Sequence, residues 1–263
     1  MKNKANILDE YILKDPTNQN IIDVFKDEWS SKLPAQFGLS TSPGRSPLFE
    51  DCRVTWAEEM LGSFNNMHIL ELGPLEGGHS YMLEKSGAKK VISIEANTRA
   101  FLKCLCIKEI MDLKNVEFKL GDFVPYLQNS SESFDIVFAS GVLYHMLEPL
   151  KLLKLISLVT KKVFIWTHYY DKEIITSNKE LTHKFSDLSS FIYEGNTYFY
   201  SNQSYKKALN WAGFCGGPEK ESKWLTKDSL LYALNQFGFN EIAINFEEIN
   251  HPNGPALALC AKK

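Results

Sequence analysis

The sequence contains no apolar run long enough to cross a membrane. Its longest apolar stretches are strand-sized, whereas a spanning helix needs about 18 or more such residues. The opening Met1–Ile7 lacks the long apolar core of a signal peptide, so the cytoplasm is the expected location and no membrane partner is expected. Cysteine is sparse and poorly spaced for chemistry. Cys52, Cys104, Cys106, Cys215 and Cys260 form no Cys-x-x-Cys pair, and their number is odd. That disfavours a metal site and a disulfide framework, and it suits a reducing compartment. Neither sign of charge dominates: 29 Lys and Arg against 32 Asp and Glu leave a formal −3. A primary nucleic-acid binder needs a basic face to neutralise phosphates, so nucleic acid is not the favoured partner. With 44% apolar and 23% charged residues, the chain has an ordinary globular composition. Its 263 residues suffice to bury one large core or two smaller ones.

What the chain does have is a strand running into a glycine-rich turn, His68-Ile-Leu-Glu-Leu-Gly-Pro-Leu-Glu-Gly-Gly-His-Ser80. Ile69, Leu70 and Leu72 make the apolar run of a central parallel strand. Glu71 interrupts that run, and a carboxylate buried there is costly without a partner. Gly73, Gly77 and Gly78 allow a tight turn and a close approach of backbone to ligand. The spacing is Glu-x-Gly-x-x-x-Gly, not the Gly-x-Gly-x-x-Gly of NAD-binding folds, which makes an NAD oxidoreductase a distant reading. A plain strand–helix turn has the same local look, so the downstream spacing decides.

The next strand, Lys90 to Glu95, again ends in a carboxylate, followed closely by Asn97. An acid about 20 residues beyond a glycine turn, at a strand tip, is placed to accept both ribose hydroxyls of a nucleoside. A third apolar segment, Val116 to Leu120, leads into Gly121-Asp122-Phe123. A fourth, Phe134 to Ala139, opens on Ser140-Gly141, a small pair that permits close approach of a ligand, and continues Val-Leu-Tyr144-His145. The fifth strand is Lys162 to Thr167, with His168 directly after it.

Alternation of strand and helix from residue 67 to about 167 predicts a doubly wound parallel sheet with right-handed crossovers. Ahead of it, residues 1–17 read as a polar tail and 21–29 as a short amphipathic helix. Residues 33–47 read as loop and 49–64 as a helix. Residues 168–224 break the alternation and are dense in aromatics. A structureless loop of that length is improbable, so a packed, mainly helical lid over the strand ends is expected. A helix capped by Thr226 and stopped by Gly238 follows. Two last strands, 240–247 and 255–261, are joined by the turn-rich Asn250-His-Pro-Asn-Gly254 and form a hairpin.

With Glu, Glu, Asp and Ser-Gly at successive strand ends, this pattern resembles the class I S-adenosylmethionine (SAM)-dependent methyltransferases. The resemblance implies a seven-stranded, mostly parallel sheet with a late antiparallel hairpin strand. The unit would span 67–263, with the lid inserted at about 168–224. Residues 1–66 would be a tail, loop and helices covering the cofactor site. It implies SAM as cofactor and S-adenosylhomocysteine as product. Glu71, Gly73, Gly77, Glu95, Asn97, Gly121, Asp122, Phe123, Ser140 and Gly141 would be the binding set. Asp122 would take the adenine amino group, and Phe123 would cover the ring.

The segment Phe134 to His145, with Pro149 four residues on, is similar to the group that includes the bacterial tRNA wobble-uridine carboxymethyltransferases. Three functions remain open: methyl transfer to a small molecule or glycan, tRNA modification with SAM or a carboxylated SAM, and a non-catalytic scaffold. The first is the most economical. Tyr144, His145 and His168 are the candidates for acceptor contact or proton removal, because strand ends face the ligand edge of an open α/β sheet.

Overall fold

The computed structural model describes residues 11–211 and 213–263, so the first ten residues of the expected polar tail lie outside the described residues. The chain begins with α1 (Asn18–Asp23), β1 (Trp29–Ser31), β2 (Pro43–Ser46) and α2 (Cys52–Leu61). Residues 33–47, read as loop from their prolines, hold a one-turn helix at Ala35–Phe37 and the short β2. Pro43 is tolerated in β2 because that strand has a single partner, β1. Ile22, Phe25, Trp29 and Leu33 are buried, so this segment is packed against the main sheet's helices through its own apolar side chains.

The alternating region supplies β3 (His68–Leu72), α3 (Gly78–Lys85), β4 (Lys90–Glu95), α4 (Thr98–Ile110), β5 (Val116–Leu120), α5 (Phe123–Asn129), β6 (Ile136–Ser140), α6 (Pro149–Val159) and β7 (Lys162–His168). After it come α7 (Lys172–Ser177), α8 (Lys179–Thr182), β8 (Ser189–Tyr193), β9 (Asn196–Ser204), β10 (Glu221–Leu225), α9 (Lys227–Gln236), β11 (Glu241–Glu248) and β12 (Ala256–Lys262). The main sheet has seven strands in the order β11-β12-β7-β6-β3-β4-β5. All its pairings are parallel except those that β12 makes with β7 and β11. This is the expected doubly wound sheet with its late antiparallel hairpin.

Local chemistry sets the element ends. Asn97 caps α4 by accepting from the Arg99 and Ala100 amides, and Asp122 caps α5 through Val124. Thr226 caps α9, and Gly238, at φ +91°, ends it. The strands are held by apolar burial on both faces, as parallel strands require. Phe138 of β6 stacks on Phe164 of β7 with ring centres 4.2 Å apart. The chain direction reverses its progress across the sheet between β3 and β6. The carboxyl ends of these strands therefore form a crevice of the kind that receives ligands in open α/β sheets.

The insertion differs from the helical lid expected. Among its described residues are two short α-helices and a short 3-10 helix at Lys206–Asn210, but most of its ordered structure is a three-stranded antiparallel sheet, β10-β9-β8. The reason is legible in its residues. Ser-Ser-Phe-Ile-Tyr and Asn-Thr-Tyr-Phe-Tyr are strand formers, and Glu194-Gly195 between them takes φ values of +48° and +80°, as a tight hairpin needs.

Candidate functional site

A cleft of about 1620 Å³ opens at the carboxyl ends of β3, β4, β6 and β7. Of the residues singled out in the sequence, Gly73, Glu95, Asn97, Asp122, Phe123, Ser140, Gly141, Tyr144 and His145 line it. Glu71, Gly77, Gly121 and His168 do not. Four regions distant in sequence are thus brought together by the sheet topology.

Glycine is required at the floor. Gly73 has φ +66°, and a Cβ there would come within 2.5 Å of Val142 Cγ1. A Cβ on Gly78 would meet the Leu48 carbonyl oxygen at 2.6 Å. Beneath this turn, Glu71 is 2% exposed and accepts from the hydroxyls of Ser80 and Ser93. Burial raises its carboxyl above the ordinary value. Glu71 therefore supports the turn from behind, through α3 and β4, and does not face the cleft.

Glu95 stands at the tip of β4. Its Oε2 accepts from the Leu75 amide at 3.2 Å and its Oε1 from the Asn97 amide at 2.8 Å. Burial pushes its pKa up to about 6, against the lowering effect of those amides. Each oxygen has a further lone pair for a ligand hydroxyl. Asp122 Oδ1 accepts from the Val124 amide, and Oδ2 has no partner among the described residues. Asn97 donates from Nδ2 to the Phe214 carbonyl at 3.2 Å. That contact brings the end of the insertion over this side of the cleft, where Trp211, Phe214 and Cys215 join the wall.

The other end of the cleft is aromatic. Tyr144 lies edge-on to Trp166 and packs against His145 with the rings tilted by 44° and their centres 4.1 Å apart. His145 Nδ1 is 2.6 Å from the Tyr205 hydroxyl, and burial lowers its pKa to about 3, so the ring is neutral at ordinary pH. Burial also raises the Tyr144 hydroxyl well above its ordinary value. His168 ends β7, paired with Ala256, instead of following the strand. Its ring stacks on Trp224 at 4.8 Å, and Nδ1 donates to the Gly254 carbonyl at 2.8 Å. Burial lowers its pKa to about 4.

Two residues reach the cleft that no sequence motif marks. His251, from the β11–β12 link, lies beside Trp166 and accepts the Asn253 amide on Nδ1. Arg53, from α2, is held by Asp51 and lies over the Trp166 ring, 4.8 Å from its centre. Neither sits in a glycine turn or strand-end motif, and only tertiary packing shows them.

The sequence matches the methyltransferase-domain family over residues 63–228. The chain belongs to that family. This methyltransferase is 30% identical over 140 residues to the tRNA U34 carboxymethyltransferase of Campylobacter hominis, covering 49% of this chain and 48% of that protein. With the Cellvibrio japonicus protein of the same name it shares 31% over 90 residues, 34% of this chain and 28% of that one. The chain thus spans half or less of the length of these curated relatives. Its fold is that of the class I SAM-dependent methyltransferases. The N-terminal domain of EvdMO1 with S-adenosylhomocysteine bound superposes with a TM-score of 0.60 at 23% identity, covering 81% of each chain. Magnesium protoporphyrin IX methyltransferase from Synechocystis superposes at 0.54 and 14% identity, again covering 81% of each.

The cleft has features that suit S-adenosylmethionine. Glycine backbone forms the floor, Glu95 presents a carboxylate at the tip of β4, and Asp122 has one oxygen without a partner among the described residues, next to Phe123 in the chain. At the opposite end stand Ser140, Gly141 and the aromatic wall.

Proposed function

We propose that the protein transfers a methyl group from SAM to an oxygen or nitrogen of a small molecule or sugar. The observation that carries this reading is the form of the cleft beyond Gly141. Trp166, Tyr144, His145 and His251 make a wall of flat apolar faces with polar edges. Such a wall suits the alternating C–H and hydroxyl groups of a sugar-sized ligand. The cleft lining carries charges of both signs, Glu148 and Glu219 with Lys151 and Lys220, and among the described residues it forms no basic track for a nucleic-acid backbone. The EvdMO1 N-terminal domain, a structural neighbour at 22% identity, was crystallised in the presence of S-adenosylhomocysteine and D-fucose, which agrees with a sugar acceptor.

SAM supplies an electrophilic methyl on a sulfonium. The protein's part is to hold, align and keep out water. Glu95 and Asp122 would fix the nucleoside, and Ser140-Gly141 would let the acceptor approach in line. Alignment alone can contribute roughly 7–11 kcal/mol to lowering the barrier. The insertion's Trp211 and Phe214, which line the cleft, would limit the access of solvent to it. A proton must leave an oxygen or nitrogen acceptor. His145 is the side chain best oriented to take it: donation from Nδ1 to Tyr205 would leave Nε2 as the acceptor. His251 has its Nδ1 occupied by the Asn253 amide, so Nε2 is the nitrogen that donates and would hold an acceptor oxygen. His168, behind Trp166, would position Tyr144 and Trp224.

The tRNA U34 carboxymethyltransferase relatives favour a second reading, transfer to tRNA. One experiment separates the two. The protein is incubated with methyl-labelled SAM and either a small-metabolite extract or unmodified tRNA, and the products are read by mass spectrometry. A labelled small molecule supports the first reading, and label in tRNA nucleosides alone supports the second.

A further inference from the structure

The insertion grips His145 through one ring nitrogen. The Tyr205 hydroxyl is 2.6 Å from Nδ1, and Tyr205 itself is buried. A Cβ on Gly216 would come within 2.9 Å of the same nitrogen, so the insertion's backbone closes on it as well. Two backbone bonds hold these groups together. The Tyr205 amide donates to the Lys220 carbonyl at 3.1 Å, joining the end of β9 to the start of β10. The Lys223 amide donates to the Met146 carbonyl at 2.9 Å, joining β10 to the residue after His145. The contact does not end at Tyr205. Ser222 is fully buried and hydrogen-bonds the Tyr205 hydroxyl. Its own hydroxyl donates to Gln203 Oε1 at 3.4 Å, across a register pair of β9 and β10.

We propose that the chain Gln203–Ser222–Tyr205 fixes the tautomer of His145, with Tyr205 as the positioning residue, an inference that rests on the reading of His145 as the base. Burial keeps the ring neutral at ordinary pH, so only one of its nitrogens carries hydrogen. A tyrosine hydroxyl alone can serve either form, since it donates or accepts equally well. The residues behind it break that symmetry. Gln203 Oε1 can only accept, and its Nε2 is turned to the Ser204 carbonyl at 3.5 Å. Ser222 therefore spends its hydrogen on Gln203 and has only lone pairs left for Tyr205. Tyr205 in turn gives its hydrogen to Ser222, and its oxygen accepts from Nδ1–H. The reverse order would set two buried oxygens face to face with no hydrogen between them, at the cost of a hydrogen bond. Every donor in the chain is matched only when Nε2 keeps its lone pair for the acceptor. The insertion is thus more than a cover, because the base is competent only while β9 and β10 are seated beside it.

The test is nitrogen NMR of the histidine rings in the full chain, labelled at histidine and without added ligand. The His145 signals are those missing from His145→Asn. At neutral pH the wild type should show Nδ1 protonated and Nε2 bare. Two variants probe the chain. Ser222→Ala does not touch His145, yet it frees the Tyr205 hydrogen to turn to Nδ1, so the proton should move to Nε2. Tyr205→Phe keeps the ring that meets Phe214 edge-on at 4.8 Å but removes the hydroxyl, and the Nδ1–H form should be lost there too. On the acceptor found by labelling, Tyr205→Phe should lower kcat by about tenfold or more in the wild type and have no further effect in His145→Asn. A wild-type proton on Nε2, or a wild-type pattern kept in either variant, overturns the proposal. Full turnover by His145→Asn overturns instead the reading of His145 as the base.

Discussion

The Leu75 amide donates to Glu95 Oε2 at 3.2 Å, tying the glycine turn after β3 to the tip of β4. Leu75 holds a φ of +56°, a conformation that an L-residue with a branched side chain seldom adopts. The same turn is bolted from outside. The Glu76 carboxylate accepts the amides of Ser30 and Ser31 at 2.9 and 2.8 Å, and Lys103 at 3.0 Å. The binding turn is therefore fixed before any ligand arrives, by groups from three different parts of the chain.

Glu95→Ala should weaken S-adenosylhomocysteine binding without unfolding the protein. Charge-assisted hydrogen bonds to the two hydroxyls would be worth about 1.5–3 kcal/mol, or roughly ten- to hundredfold in affinity. Calorimetry that finds the affinity unchanged removes Glu95 from the site.

The elevated Glu95 pKa of about 6 gives two pH effects of opposite direction. The ionised form is the one that accepts ligand hydroxyls, so donor affinity should fall as pH drops through 6. Stability runs the other way. A carboxyl whose folded pKa is raised contributes stability that is present below its unfolded value of 4.5 and lost as pH rises through 6. The loss is about 2 kcal/mol. Urea unfolding at several pH values should therefore show wild type losing ground to Glu95→Gln between pH 4.5 and pH 6. Parallel curves contradict this assignment.

Lys103→Met should destabilise the fold strongly. It leaves Glu76, 1% exposed, without its cation, and breaking one side of a buried pair costs about 3–5 kcal/mol. A loss below about 1 kcal/mol, the range of exposed pairs, would show that the Ser30 and Ser31 amides suffice.

Much of this architecture is legible in the sequence because its signals are local. Glu71, Gly73, Glu95, Asp122 and Ser140-Gly141 each sit within a few residues of a recognisable strand end, and the alternation of elements fixes their order. Legibility ends where a residue's role depends on packing. Glu71 looks like a ligand contact but is consumed by Ser80 and Ser93, which only the helix–strand packing brings to it. Arg53 and His251 carry no local mark, because their place depends on how α2 and the late hairpin fold over β7. His168 shows how one residue matters: β7 continues one step further to pair with Ala256, and the ring turns toward Trp224 and Gly254. In the insertion the strand formers and Glu194-Gly195 were a readable hairpin signal, masked by the density of aromatics.

Replacing residues 206–220 with a short Gly-Ser link should raise the acceptor KM and lower turnover, while Glu95 and Asp122 retain most donor binding. Steady-state kinetics on the acceptor found by labelling, with calorimetry for the donor, checks both halves. Unchanged kinetics would show that residues 206–220 take no part in holding the acceptor.

His145→Asn should lower kcat on that acceptor by about a hundredfold, the lower range for a positioned base. With a folded pKa of about 3, His145 itself should produce no rise in rate between pH 5 and pH 8. Full activity in the variant would credit alignment alone with the catalysis.

The central claim is that the crevice at the ends of β3, β4 and β6 is a methyl-donor site. Competitive titration with S-adenosylhomocysteine and NAD tests it most directly. The account predicts that S-adenosylhomocysteine binds one site per chain, is lost or much weakened in Glu95→Ala, and is not displaced by NAD. Tighter binding of NAD than of S-adenosylhomocysteine would contradict it.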